Sequence, residues 1–182
     1  MKKCRLVSAF KQFLFMGPAL LAGCVNVPSG IRPIGDFNID RYLGTWYEIA
    51  RLDHSFERGL TKVSATYRLR DDGGIDVLNR GFDTRTGRWK QAKGRAYSVG
   101  EPRAGHLRVS FFGPFFGSYI VVALDSQDYR YAMVCGPNRS YLWILSRDKV
   151  LSGVVLDDLL AQARGLGFDT DALIFVEHDD LG

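Results

Sequence analysis

Thr61-Lys62-Val63-Ser64-Ala65-Thr66-Tyr67-Arg68-Leu69-Arg70 runs into Asp71-Asp72-Gly73-Gly74 and then into residues 75–82. Val63, Ala65, Tyr67 and Leu69 fall on one face, with Ser64, Thr66 and Arg68 opposite. A period of two with one apolar face predicts a half-buried strand. Asp-Asp-Gly-Gly supplies the positive φ that a tight turn needs, so 61–82 reads as an antiparallel hairpin. The pattern extends outward in both directions. Apolar runs at 46–52, 107–111, 119–124, 129–135 and 141–146, with an amphipathic run at 88–99, are separated by short turns rich in Gly, Asp and Pro. With the hairpin they predict eight strands joined by short antiparallel links. This is an all-β chain, and eight such strands suit a closed up-and-down barrel.

One segment has a different period. Val155, Leu156, Leu159, Leu160 and Ala163 recur at helical spacing, and Gly165 and Gly167 offer a stop. Asp157 and Asp158 suit the first turn of that helix by its dipole. Residues 141–145 are apolar on both faces, which predicts that the C-terminal helix packs outside the barrel against the eighth strand. Residues 172–176 predict a short ninth strand.

The whole chain has 182 residues and a formal net charge of +4. That excess sits in Lys2, Lys3, Arg5 and Lys11, and residues 24–182 hold 20 basic and 20 acidic side chains. The charge therefore belongs to the N-terminal segment and gives no reason to expect nucleic acid as a partner. Residues 1–23 combine a basic start with an apolar run from Phe13 to Gly23, which is 11 residues long. A bilayer-spanning helix needs about 20, so the segment reads as a signal peptide.

Leu21-Ala22-Gly23-Cys24 resembles the lipobox of bacterial lipoproteins. That resemblance implies cleavage before Cys24 and its acylation. Val25, where an Asp tends to retain such proteins at the inner membrane, favours the outer membrane. Residues 24–36 look like a lipidated tether reaching at most ~40 Å, with the domain at 37–182. Cys4 leaves with the signal and lipid takes Cys24. Cys135, in an apolar strand, is expected to be a buried, inert thiol.

Gly44-Thr45-Trp46-Tyr47, Gln127-Asp128-Tyr129 and Arg147 resemble, in order and spacing, the three lipocalin signatures, although the second lacks its Thr. Tyr42 to Arg51, Phe56 to Gly59, Phe111 to Phe115 and Cys135-Gly136-Pro137 are similar to bacterial outer-membrane lipocalins, cousins of the apolipoprotein D branch. The resemblance implies that Trp46 and Arg147 stack to close one end of the barrel. It also implies a carrier of fatty acids or lysophospholipids for the envelope, lipid-anchored in the bacterial outer membrane and facing the periplasm, as a monomer or homodimer.

Strand parity from Trp46 turns Glu48, Ala50, Tyr141, Trp143 and Leu145 inward. The expected ligand site is Glu48, Ala65, Tyr67, Val109, Phe111, Phe116, Tyr141 and Trp143, with Arg80 or Lys93 at the rim for a phosphate. Small Ala beside large aromatics leaves volume for a ligand, although a filled core fits the same pattern. Glu48 stands out as a carboxylate with reason for a raised pKa.

An enzyme has little support. G-x-S-x-G, H-E-x-x-H, C-x-x-C and phosphate-loop patterns are missing from the sequence, and His54, His106 and His178 are scattered. No metal or cofactor is expected. The alternatives are a structural envelope lipoprotein without ligand and a lipid-modifying enzyme on the same barrel.

Overall fold

The structure is a computed structural model that describes residues 25–178. The signal peptide and Cys24 lie outside the described residues. The chain forms α1 (Ile39–Tyr42), β1 (Gly44–Arg51), β2 (Leu60–Leu69), β3 (Ile75–Asp83), β4 (Arg88–Ser98), β5 (His106–Phe112), β6 (Phe115–Leu124), β7 (Tyr131–Cys135), β8 (Leu142–Ser146), α2 (Gly153–Gly165) and β9 (Ile174–Phe175). Each strand from β1 to β8 pairs antiparallel with the next, and β1 also pairs with β8, so the sheet closes. The hairpin that decides the fold forms as expected, with Tyr67 opposite Val77 and Gly73 at φ 76°.

Two apolar layers hold the molecule. Inside the barrel are Trp46, Tyr67, Val77, Leu107, Val134 and Leu145. Outside it, Met133, Cys135, Leu142 and Ile144 pack against Leu159 and Ala163 of α2. Strand β8 is thus covered on both sides. Burying one leucine such as Leu159 contributes about 2–3 kcal/mol. Ser152 caps α2, its Oγ accepting from the Val155 amide at 3.4 Å. Because the helix starts at Gly153, Asp157 and Asp158 fall in its second turn and not its first. Cys135 is fully buried, and desolvation pushes its thiol up to about 12, as an inert thiol should behave.

The end of the barrel where β1 begins is closed. The Arg147 guanidinium lies 3.9 Å from the centre of the Trp46 ring and donates to the carbonyls of Thr45 and Arg41 at 2.9 and 2.8 Å. Trp46 Nε1 donates to the Tyr42 carbonyl at 2.8 Å. Gly44 has φ 94°, and a Cβ there would meet Arg147 Nη1 at 3.2 Å. Glycine is needed at this position for both reasons.

Two findings depart from the sequence reading. First, a β-bulge in β1 shifts the register between Glu48 and Ala50. Glu48 opposes Leu145 and points inward, Ala50 opposes Ile144 and joins the outer layer, and Arg51 opposes Trp143 and points inward. The extra residue inverts the parity after Glu48, so Ala50 does not line the interior. Second, the described part of the expected tether is not free. Pro28 and Ile31 are buried, and Ile34 bridges the Gly105 amide and the Val121 carbonyl. Arg139 donates to the Ser29 carbonyl at 2.7 Å, and Ser118 Oγ to the Asn26 carbonyl at 2.9 Å. Residues 26–36 bind along the outside of β6.

Candidate functional site

The loops 52–59, 84–87, 113–114 and 136–141 share the end opposite the Trp46–Arg147 closure. There a cavity of about 290 Å³ opens between them. Its wall includes seven of the eight expected residues: Glu48, Ala65, Tyr67, Val109, Phe111, Tyr141 and Trp143. Val109 and Phe111 come from the alternation of β5. Phe111 also depends on Gly94, where a Cβ would meet the Phe111 ring at 2.8 Å.

Phe116 is not in the cavity. Gly117 opposes Val109 on the inner face, which turns Phe116 outward, under the Arg108 guanidinium at 5.0 Å and beside the Tyr97 ring. Arg80 and Lys93 also lie outside. Arg80 sits 4.0 Å from the Trp89 ring centre, and Lys93 opposes Leu78, the outward neighbour of Val77. They are on the wrong face to meet a ligand inside the barrel.

The cavity floor is a chain of phenols. Tyr67 donates to the Tyr119 hydroxyl at 2.9 Å, and the hydroxyls of Tyr119 and Tyr42 are 2.7 Å apart. Burial pushes all three phenol pKa values up, so they are neutral. Asn79 Oδ1 is buried in the wall without a partner among the described residues.

The upper wall holds a charged network that the sequence did not reveal. Arg51 Nη1 donates to Glu48 Oε1 at 2.6 Å, and its Nη2 to the carbonyls of Glu57 and Leu60 at 3.0 Å each. His54 Nε2 lies 2.9 Å from Glu57 Oε2, and Trp143 Nε1 donates to the same oxygen at 3.1 Å. Glu48, Arg51, His54 and Glu57 are all buried. They fasten loop 52–59 across part of the mouth, which places Phe56 and Glu57 in the wall. His106 and His178 are buried as well, the first 3.4 Å from Ser118 Oγ and the second 2.7 Å from the Glu48 carbonyl. The bulge explains the omission of Arg51, since simple parity turns it outward.

Burial, then the neighbouring Glu57, pushes the Glu48 carboxyl well above the usual carboxylate range, with Arg51 opposing. Burial raises Glu57 too, but His54, Trp143 and Arg51 outweigh it and hold its carboxyl below the ordinary value. The raised Glu48 favours folding at low pH, because the folded state then binds more protons than the unfolded one. Its contribution is lost as pH rises from the unfolded value towards the folded one. Glu48→Gln is therefore expected to flatten the fall of stability between acid and neutral pH. Denaturant titrations at several pH values check this.

Among the described residues no cluster of His, Cys, Asp or Glu could hold a metal, and no helix is long and apolar enough to cross a membrane. What the geometry offers is an apolar, one-ended container. The family model for a lipocalin-like domain matches residues 37–178. The chain belongs to the lipocalin family. This lipocalin is 52% identical over 166 residues to the outer membrane lipoprotein Blc of Vibrio cholerae, covering 91% of this chain and 97% of the relative. It is 55% identical over 151 residues to the protein of the same name from Escherichia coli K12, covering 83% and 85%. Mouse apolipoprotein D is 32% identical over 123 residues, covering 64% of each chain. Insecticyanin from the tobacco hornworm superposes with a TM-score of 0.68 at 23% identity, covering 85% of this chain and 88% of that one. That last likeness concerns the fold alone. The bacterial relatives make this lipocalin a lipid-anchored protein of the outer membrane.

Proposed function

We propose that this lipocalin stores or carries one acyl lipid, a fatty acid or a lysophospholipid, for maintenance of the cell envelope. Its anchor is Cys24 and its domain faces the periplasm. The observation that carries the reading is the cavity itself, closed below by Arg147 on Trp46, open above, and lined by apolar side chains with a few fixed polar groups. An acyl chain lies along Val109, Phe111 and Trp143. Burying about ten methylenes contributes roughly 8 kcal/mol before ordering costs, enough for micromolar binding. The headgroup stays near the mouth, below loop 52–59, and Asn79 Oδ1, deeper in the wall, is an acceptor for a lipid O–H or N–H. Arg80 and Lys93 have no part in this arrangement.

The test is a titration of the delipidated protein with lysophospholipid and with fatty acid, followed by Trp fluorescence and native mass spectrometry. A saturable change with one lipid per cavity is expected. Absence of both signals would leave a structural lipoprotein, and turnover of the added lipid would make it an enzyme. Phe116→Ala is expected to leave the affinity unchanged, since that ring lies on the outer face.

A further inference from the structure

Where the chain leaves the barrel bears on how the barrel sits. The N-terminal segment starts at the closed end, near Phe37, and runs along the outer face of β6. It reaches Arg139, in the loop between β7 and β8, and then Ser118, three residues from the start of β6. Both positions belong to the open half. In the sequence Asn26 is two residues from Cys24, a span of at most about 7 Å, so an anchor at Cys24 tethers the barrel by its open half.

The open rim is also the part of the surface suited to lipid. Phe56, Phe112 and Phe115 are exposed there at 55%, 79% and 60%. The exposed apolar side chains beyond the closed end, Leu69, Val150 and Val154, are aliphatic.

We infer that the open rim is a bilayer-docking surface, held face-down on the membrane that carries the anchor. It rests on the anchoring of Cys24 proposed above. The exposed phenylalanine rings of the rim enter the bilayer interface. The docking need not be strong alone, because the anchor keeps the rim at high local concentration beside the bilayer. The cavity mouth then opens onto the bilayer surface, and a lipid passes between membrane and cavity without crossing water.

The test uses the full lipidated protein reconstituted in vesicles of phosphatidylethanolamine and phosphatidylglycerol, carrying an environment-sensitive fluorophore on Thr86→Cys at the open end or Asp71→Cys at the other. Cys135 is buried and stays unlabelled. Nitroxide-bearing lipids are expected to quench the label at 86 several-fold more than the label at 71. Phe112→Ser with Phe115→Ser, folded by circular dichroism, removes most of that difference. Equal quenching at both positions, or stronger quenching at 71, overturns the inference. Loss of flotation with the vesicles reports failure of the anchor instead, and flotation without quenching at 86 reports failure of the docking alone.

Discussion

Arg51→Ala lowers the stability of the barrel by about 3–5 kcal/mol, the usual cost of leaving a buried charge without its partner. Three acceptors lose their donor at once: Glu48 Oε1 and the carbonyls of Glu57 and Leu60. Arg51 is 1% exposed, so water cannot replace it without opening the wall. The measurement is urea unfolding of wild type and variant. Adding Glu48→Leu to Arg51→Ala removes the orphaned carboxylate and is expected to restore part of the loss, giving a coupling energy in a double-mutant cycle. If the two losses simply add, the pair is not an interacting unit. A smaller effect of Arg51→Ala, under 1 kcal/mol, would mean that the guanidinium is in fact solvated.

Trp143→Ala weakens lipid binding by about 10–100-fold, or roughly 1.4–2.8 kcal/mol. Its ring forms part of the cavity wall, and its Nε1–H fixes Glu57 in the loop over the mouth. Truncation therefore removes apolar contact with the acyl chain and loosens the cover together. Trp143→Phe separates the two, keeping an aromatic face while losing the hydrogen bond. It is expected to retain affinity within a few-fold. Equal affinity in wild type and Trp143→Ala, by the same fluorescence-independent mass-spectrometric titration, would remove the ring from the binding surface.

The cavity was legible wherever strands are regular. Val109 and Phe111 alternate on β5, Ala65 and Tyr67 on β2, and Tyr141 and Trp143 approach the barrel in phase with Leu145. Side-chain period misplaces residues where a strand is irregular or starts elsewhere than its apolar run. The bulge after Glu48 moved Ala50 out and Arg51 in. Strand β6 begins at Phe115 and not at Tyr119, and counting back from the inward Tyr119 turns Phe116 outward. His54 and Glu57 lie in a loop without period, so no pattern could place them beside Arg51 and Trp143.

By itself the sequence determined the barrel and the outer helix, because these follow from side-chain period and from turn chemistry, whereas the stacking of Arg147 on Trp46 came from the resemblance to lipocalins. Period and turn chemistry are local properties of the chain. Tertiary structure alone decided the buried Glu48–Arg51–His54–Glu57 network and the docking of residues 26–36 on β6. The network joins a bulged strand to a loop without period, the docked segment joins residues far apart in the sequence, and each depends on a register shift or a surface that exists only once the sheet has closed.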